Sequence, residues 1–258
     1  MAGWARGRGS NLAGVTSSVK SVPRLVWSIA TKGLAQAYRD VLPDMSQGSV
    51  DWLEREGIRL DGARVLEVGC GYGSAAALVG KRGANVCALD IEMPRVKHAQ
   101  EEGVQVALAD AEALQFRDCA FDLVLCIGVL EHLRRPRRFF DEAYRCLRPG
   151  GHLYLTWTNW LSPLGGHDYA PFHYLGPRLG YAVAKKVRRR ERFIQTPYET
   201  LWPVHIGPTL RMIKDSGFRI ARMTPRHYPN LSFVCRVPIA REFLTVNCQL
   251  LLEKPGAA

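Results

Sequence analysis

Three glycines and two aspartates stand at spacings that suit the binding of a nucleoside-bearing cofactor. Gly69, Gly71 and Gly73 follow an apolar run in "VLEVGCGYG", and glycines there permit a tight turn at which the backbone approaches a ligand. Asp90 closes the next apolar run, where a carboxylate can accept hydrogen bonds from both hydroxyls of a ribose. Asp110 closes a third run and offers an acceptor to the exocyclic amine of an adenine.

The elements that must position these residues alternate between strand and helix patterns. Five apolar runs predict strands at residues 64–69, 85–90, 104–110, 121–128 and 151–157. Helical patterns occupy residues 74–82, 94–101 and 136–147. This alternation predicts a doubly wound α/β domain, in which helices cover both faces of a parallel sheet. The glycine turn and both aspartates would then meet at the carboxyl edge of the sheet, where such folds bind ligands.

Segments on either side of this core complete the predicted organisation. Residues 1–20 are rich in Gly, Ser and Arg and are expected to be mobile. Residues 21–60 are expected to form a cap, with helices at 23–42 and 48–56, and residues 61–258 to form the main domain. After a long insert at 159–206, the pattern predicts a helix at 207–218 and strands at 219–224 and 243–254.

The insert begins in "WTNWLSPLGGHDYAPFHYLG", which is rich in aromatic side chains and histidines. A connection of this length inside a compact domain is usually functional, and its aromatic side chains suit a pocket for an apolar or ring-containing molecule. His167 and His173 in the insert, and His132 after the fourth strand, are candidates for a general base, with His205 a weaker one. A metal site built from His167, Asp168 and His173 is a less favoured alternative.

Charge and cysteine content limit the partners and the compartment. The net charge of +11 and a pI near 9.5 point to an acidic partner, such as nucleic acid, a phosphorylated metabolite or an anionic membrane face. Basic residues cluster at 134–138 and 185–192. The seven cysteines include no C-x-x-C pair, which argues against a zinc site or a disulfide framework and favours a reducing cytoplasm. No apolar run is long enough to span a membrane.

The succession "VLEVGCGYG", "ALD", "LADAEAL", "FDLVLCIGVLEHL" and "LRPGGHLYLTW" resembles the motifs of class I S-adenosylmethionine (SAM)-dependent methyltransferases, especially the branch with quinone and other small-molecule methyltransferases. The resemblance covers about residues 60–158. It implies a Rossmann-like, seven-stranded sheet with an antiparallel final strand, SAM as cofactor and S-adenosylhomocysteine as product. No metal is implied.

The resemblance also implies roles for single residues. Glu67 and the three glycines would face the methionine part of SAM, with Glu67 engaging its amino group through water. Asp90 would bind the ribose, and Ile91 would pack on the adenine. Asp110 and the backbone of Ala111 would bind the adenine edge. Ile127 and Gly128 would lie where the fourth strand passes the cofactor.

The function expected from these patterns is methyl transfer to a small-molecule or lipid acceptor, with oxygen as the expected methylated atom. The acceptor would be recognised by the insert and the N-terminal helices, and the basic residues at 178–192 would contact an anionic group of the acceptor or an anionic membrane at the inner face. An RNA methyltransferase is the main alternative; it is disfavoured because "IGVLEHL" lacks the Asn/Asp-Pro-Pro-aromatic motif of base-amine methyltransferases and no RNA-binding module is visible. A non-catalytic SAM-binding protein, or an NAD-binding one, is the third.

Overall fold

The computed structural model describes residues 34–189 and 193–256, and its centre is one seven-stranded sheet. The strands are β1 (Arg64–Val68), β2 (Asn85–Asp90), β3 (Val106–Leu108), β4 (Phe121–Ile127), β5 (Leu147–Thr158), β6 (Arg219–Pro225) and β7 (Asn247–Glu253). Their order across the sheet is β3-β2-β1-β4-β5-β7-β6. β1 to β5 pair in parallel, whereas β7 is antiparallel to both β5 and β6. The predicted doubly wound sheet with an antiparallel final strand is therefore confirmed.

Seven described α-helices surround the sheet. They are α1 (Leu34–Arg55), α2 (Ser74–Gly80), α3 (Met93–Glu101), α4 (Pro136–Cys146), α5 (Pro177–Arg188), α6 (Ile206–Asp215) and α7 (Pro238–Leu244). Successive side chains of β1 alternate between two hydrophobic cores: Val65 packs with Trp52 of α1, and Leu66 packs with Phe139 of α4. Both faces of the sheet are thus covered, which explains the nearly continuous apolar character of its central strands.

The N-terminal helices differ from the prediction. Residues 23–33 and the segment 1–20 lie outside the described residues. Where helices at 23–42 and 48–56 were expected, α1 continues through Pro43 to Arg55 as a single helix. A proline inside a helix removes one hydrogen bond, but the second half of α1 buries Val50, Trp52 and Leu53 against the sheet, and this packing favours an unbroken helix.

The ends of three strands also differ from the prediction. The run 243–254 was expected to be a single strand, but residues 238–244 form helix α7, which begins at Pro238, and β7 starts only at Asn247. Proline is favoured in the first turn of a helix, and this signal outweighed the strand-like composition that follows it. β3 is shorter than predicted, and β5 begins earlier, at Leu147, with an irregularity opposite Phe121.

The insert after β5 has a hydrophobic core of its own. Its buried members are Trp160, Tyr169, Ala184, Phe193 and Leu201. Most of its large aromatic side chains therefore stabilise the insert itself, instead of lining an open pocket as the composition suggested.

Part of the predicted basic segment is also used within the insert. Arg188 of α5 donates hydrogen bonds to the carbonyls of Asp168 and Ala170, and its guanidinium lies over the Phe172 ring. Helix α5 was not among the predicted helices, and it carries exposed apolar side chains such as Leu179 and Val187 among its basic residues.

Candidate functional site

The glycine turn after β1 leaves space for a ligand at the carboxyl edge of the sheet. Gly69, Gly71 and Gly73 all have positive φ, at 67°, 56° and 80°, a conformation that favours glycine. A Cβ on Gly69 would lie 2.4 Å from Val129 Cγ2, so this glycine allows close packing. At Gly71, by contrast, no described atom lies within 4 Å of the Cβ position, so the turn offers its backbone to a ligand there.

Asp90 connects the glycine turn to the end of β2. Its Oδ2 accepts a 2.9 Å hydrogen bond from the Gly71 N–H, and its Oδ1 accepts one of 2.9 Å from the Glu92 N–H. Each carboxylate oxygen has a second lone pair, so Asp90 can hold the turn and still accept bonds from ligand hydroxyls. Ile91 follows with 69% of its surface exposed, which leaves its side chain available to cover a flat ring.

The loop after β3 is held by an ion pair that the sequence analysis missed. Oδ1 of Asp110 accepts a 2.8 Å hydrogen bond from the Glu112 N–H. The buried Glu112 carboxylate in turn accepts bonds from the backbone N–H of Arg135, at 2.6 Å, and from its Nε, at 2.7 Å. Arg135 belongs to the basic cluster 134–138, so part of that cluster positions the predicted adenine site. The only signal for this pair was the complementary charge of two segments far apart in sequence.

Glu67 is a buried carboxylate whose position fits a cationic ligand group. It lies within β1 and is 3% exposed, and its Oε2 has no hydrogen-bond partner among the described residues. Burial raises its pKa from 4.5 to about 8, an effect opposed by the Ala76 N–H and reinforced by the charge of Asp90. An unsatisfied buried carboxylate is costly, and a ligand ammonium, reached directly or through water, would satisfy it.

The remaining predicted cofactor residues surround the same edge. Ala111 is buried behind Asp110. Ile127 ends β4, and Gly128 follows with φ 66° and no described atom within 4 Å of its Cβ position. The Gly128 N–H donates a 2.9 Å hydrogen bond to the Thr156 carbonyl, which fixes this turn to β5. The open space at Gly71 and Gly128 and the orphaned oxygen of Glu67 together fit the cofactor that the sequence suggests.

Beside this edge the structure brings together His132, His167 and Glu131. The rings of the two histidines lie 5.8 Å apart between centroids, and Nε2 of His167 lies 3.9 Å from Oε1 of Glu131. The Glu131 oxygen also accepts a 2.9 Å bond from the Thr158 N–H at the end of β5. Glu131 was not among the predicted residues, since a buried acid next to a histidine leaves no pattern in the sequence.

The two histidines differ in their surroundings. His132 is half-buried, and its Nδ1 lies 2.5 Å from the Thr200 carbonyl. Because a carbonyl only accepts, Nδ1 carries a proton, and in the neutral ring the lone pair is on Nε2. The His167 side chain is 11% exposed, and its Nε2 is buried with no hydrogen-bond partner among the described residues. Burial, with lesser contributions from His132 and His173, lowers the pKa of His167 to about 3, so this ring is neutral at physiological pH.

His173 and His205 lie in different surroundings. Nε2 of His173 is 3.0 Å from the Ser162 carbonyl, and its ring packs against Trp160 inside the insert. Burial lowers its pKa. His205 precedes the first residue of α6, and its pKa is also lowered by burial, with Glu242 opposing. Neither is in ring contact with His132 or His167 in the described part of the chain.

The described residues contain no cluster of metal ligands, no disulfide and no helix that could span a membrane. Within 34–189 and 193–256, no group of three His, Cys, Asp or Glu side chains is placed to hold a metal ion. All seven cysteines are free thiols. Every helix in the same ranges is too short or too polar to cross a bilayer.

Comparison with known proteins points to one family. Residues 66–155 match the model of a family described as "Methyltransferase domain". Over 213 residues the chain is 32% identical to an "uncharacterized methyltransferase" from Mycobacteroides abscessus, an alignment that covers 78% of this chain and 80% of the relative.

Solved structures share the fold. The chain is similar to an S-adenosylmethionine-dependent methyltransferase from Mesorhizobium loti, with a TM-score of 0.57 and 21% identity over 79% of this chain and 96% of the other. It is also similar, with a TM-score of 0.56 and 21% identity over 82% of each chain, to the [4+2]-cyclase SpnF. Since a cyclase shares the architecture, the fold alone does not fix the reaction.

Proposed function

Since the chain belongs to the class I SAM-dependent methyltransferases, we propose that it transfers the methyl group to an oxygen of a small-molecule or lipid acceptor, with His132 as general base. The observation that carries this proposal is the hydrogen bond from His132 Nδ1 to the Thr200 carbonyl. It leaves Nε2 of His132 able to take a proton, in the turn that follows β4 and Gly128.

Different residues at the carboxyl edge of the sheet would bind different parts of the cofactor. SAM supplies a methyl group that its sulfonium already activates, so positioning provides most of the acceleration. Glu67 would hold the amino group, the backbone of the glycine turn would lie against the methionine part, and Asp90 would accept hydrogen bonds from the ribose hydroxyls. Asp110 and Ala111 bind the adenine edge, and the exposed Ile91 covers its ring.

His132 has the clearest role on the acceptor side. An oxygen nucleophile must lose its proton as the new bond forms, and a positioned histidine accelerates this by roughly 10²- to 10⁴-fold. The bond to the Thr200 carbonyl fixes both the tautomer and the orientation of the ring. The neutral ring of His167 lies beside His132 and contacts Glu131. His173 stabilises the insert from within.

The surface around this edge suits an anionic lipid membrane. The insert and the segment between β6 and β7 both leave the carboxyl edge, and both carry exposed large apolar side chains. In the second segment these are Leu231, Phe233, Val237, Ile239, Phe243 and Leu244. Together with exposed cations such as Lys186 and Arg236 and a net charge of +11, they match a bilayer with anionic lipids.

The membrane proposal is tested by flotation of the full chain with vesicles. Binding to vesicles of phosphatidylglycerol and phosphatidylcholine is expected to exceed binding to phosphatidylcholine alone, and to fall when Phe233 and Ile239 are both replaced by Ser. Equal flotation in all three cases would contradict the proposal.

The acceptor itself is identified with SAM carrying a ¹³C-labelled methyl group. The full chain is incubated separately with an organic extract, a low-mass aqueous extract and total RNA from mycobacterial cells, because the relatives are mycobacterial. We expect label in one of the first two fractions, with a ¹³C shift typical of a methyl group on oxygen. An Asp90→Ala variant, which should bind SAM poorly, is the control for background transfer.

Two outcomes would count against this function. Label confined to the RNA would replace it by the nucleic-acid alternative. A product methylated at nitrogen or carbon would remove the role of His132 as a base for a hydroxyl group, although the methyltransferase assignment would stand.

A further inference from the structure

One face of the sheet changes from apolar to polar as it nears the carboxyl edge. Near the middle of the strands, the face covered by α1 carries Leu123, Leu125 and Leu251. Towards the carboxyl edge the same face carries polar side chains on β5, β7 and β6. These are Thr156 and Thr158 of β5, Gln249 and Asn247 of β7, and Thr224 of β6 with Arg226 just after it.

These polar side chains form two rows across β5, β7 and β6, and together they are called the polar wall below. In the first row, Thr156 and Thr224 both pair with Gln249. In the second row Thr158 pairs with Asn247, whose carbonyl accepts a 2.9 Å bond from the Arg226 N–H. A sheet face covered by a helix is ordinarily apolar, so a polar wall at this position requires a reason.

Several atoms of the wall lack partners. Oγ1 of Thr156 and Oδ1 of Asn247 are buried without a hydrogen bond among the described residues. Buried polar groups without partners are rare, and they often mark a place where water, an ion or a ligand completes the bonding. The wall is therefore incompletely satisfied by the protein itself.

Arg226 is the strongest anomaly in the wall. It is 6% exposed, and its Nη2 donates to the Met45 carbonyl, at 2.8 Å, and to Oγ of Ser49, at 2.7 Å, both on α1. Its Nε and Nη1 have no acceptor, and no carboxylate lies within 4 Å, in the part of the chain that the structure describes. Burial lowers the pKa of Arg226, although the charge of Glu131 favours the cation from beyond ion-pair distance. Burying a cation without a direct ion pair is costly, and an anionic group of a ligand bound at Nε and Nη1 would offset that cost.

Arg226 lies on the same row of paired residues as Thr158, which is bonded to the neighbour of the proposed base. Glu131, next to His132, accepts a hydrogen bond from the N–H of Thr158, and Thr158 opens the row that ends at Arg226. Two strand spacings separate these ends, or about 10 Å. An acceptor anchored at Arg226 could thus place its other end beside the Glu131–His132 turn.

We infer that Arg226 and the polar wall form the anion-binding half of the acceptor pocket, so that the acceptor carries a carboxylate or phosphate group at the end remote from the oxygen that is methylated. This inference rests on the proposed function and specifies its substrate class. Ser49 and Met45 orient the guanidinium, and Asn247 and Thr156 supply further polar contacts.

The test is binding of small anions to the full chain saturated with S-adenosylhomocysteine, followed by ¹⁵N NMR. Benzoate probes a carboxylate, phenyl phosphate probes a phosphate, and benzamide is the neutral counterpart of benzoate. We expect at least one anion to shift the Arg226 Nε and the Asn247 side-chain amide signals, and to bind more tightly than benzamide. The stronger of the two anions identifies the group.

Substitutions separate an anion site from a structural arginine. Arg226→Met should weaken anion binding by about tenfold or more, because a charged hydrogen bond is lost, and should leave the melting temperature unchanged or higher, because an unpaired buried charge is removed. Arg222→Met is the matched control: it lies on β6, is largely exposed and pairs with Glu56, and should not alter anion binding. If Arg226→Met does not fold, Arg226→Lys and the shifts in the unchanged protein decide the matter.

The inference is overturned if the anions bind no better than benzamide, if they leave the Arg226 and Asn247 signals unmoved, or if Arg226→Met binds them as well as the unchanged protein does. Calorimetry with SAM on the same preparation separates this failure from that of the proposed function. SAM binding without anion binding removes only the pocket, whereas absence of SAM binding removes the methyltransferase function itself.

Discussion

The backbone N–H of Gly71 donates a 2.9 Å hydrogen bond to Oδ2 of Asp90, so the turn after β1 and the carboxylate after β2 form one unit. The same carboxylate holds the start of the next segment through the Glu92 N–H. Asp90 thus shapes the loops around the proposed cofactor site in addition to offering lone pairs to a ribose.

Replacing Asp90 by Ala should therefore weaken SAM binding more than the loss of ribose contacts alone would. Two backbone N–H groups lose their acceptor, and hydrogen bonds to a charged group contribute about 1.5–3 kcal/mol. We expect the dissociation constant, measured by calorimetry, to rise by at least about tenfold. Glu101→Ala, on the exposed side of α3, is the control and should bind SAM normally; an equal loss there would refute this role of Asp90.

Glu67 should give the stability of the ligand-free protein a distinctive pH dependence. Its pKa is about 8 in the folded protein, against an ordinary 4.5. Between these values the folded protein retains a proton that the unfolded chain has lost, so the free energy of unfolding falls as pH rises, by about 1.4 kcal/mol per pH unit at most. In Glu67→Gln this slope disappears.

The measurement is urea unfolding of both proteins at several pH values from 5 to 9. The stability of Glu67→Gln relative to the unchanged protein should increase across this range, while contributions from other titrating groups cancel in the difference. A difference that stays constant with pH would show that Glu67 is ionised throughout.

His132→Asn should lower kcat by roughly 10²-fold or more and leave the dissociation constant of SAM unchanged. Because the lost group is a base, turnover of the variant should recover in part as pH rises and the acceptor hydroxyl ionises unaided. The pH profile separates this role from a structural one, which would not produce such recovery. His152→Asn, in the middle of β5 and six residues before Thr158, should retain full turnover at every pH.

Arg135→Ala should destabilise the fold by about 1–2 kcal/mol and weaken SAM binding several-fold. The buried Glu112 carboxylate loses the hydrogen bond from the Arg135 Nε, which destabilises the folded protein. This loss of stability is moderated because the Arg135 side chain is about half exposed to solvent. The neighbouring Arg137 makes an exposed pair with Asp141, so Arg137→Ala should cost less than about 1 kcal/mol. Chemical unfolding and SAM calorimetry of the two variants provide the comparison, and identical behaviour would exclude a special role for Arg135.

The central strands, which are buried on both faces, could be predicted from the sequence. β1, β2 and β4 lie in the middle of the sheet with both faces covered, so their apolar runs coincide closely with the strands. At the periphery the signals conflict. The gap predicted between helices ending at 42 and beginning at 48 is part of one continuous helix, and the first residues of the strand predicted at 243–254 belong to helix α7. The strand boundaries there depend on pairing partners that lie far away in sequence.

The residues of the candidate site also differ in whether the sequence could predict them. Residues tied to strand ends, such as Asp90 and Gly71, could be predicted from position, although their roles toward SAM stay predictions. Glu131, Glu112 and Arg226 could not, because each matters through a neighbour that only the folded chain provides. The aromatic residues of the insert were noticed for their composition, yet burial in a local core explains most of them.

The turn Leu130–His132 is bonded to backbone atoms of the insert. His132 donates to the carbonyl of Thr200, and the Glu131 carbonyl accepts a hydrogen bond from the Trp202 N–H. Bonds of this kind do not depend on which side chains occupy positions 200 and 202. The insert can therefore diverge in sequence, and with it the choice of acceptor, without loosening its attachment to the cofactor domain. A proline at position 202, which has no N–H to donate, would remove the bond to the Glu131 carbonyl.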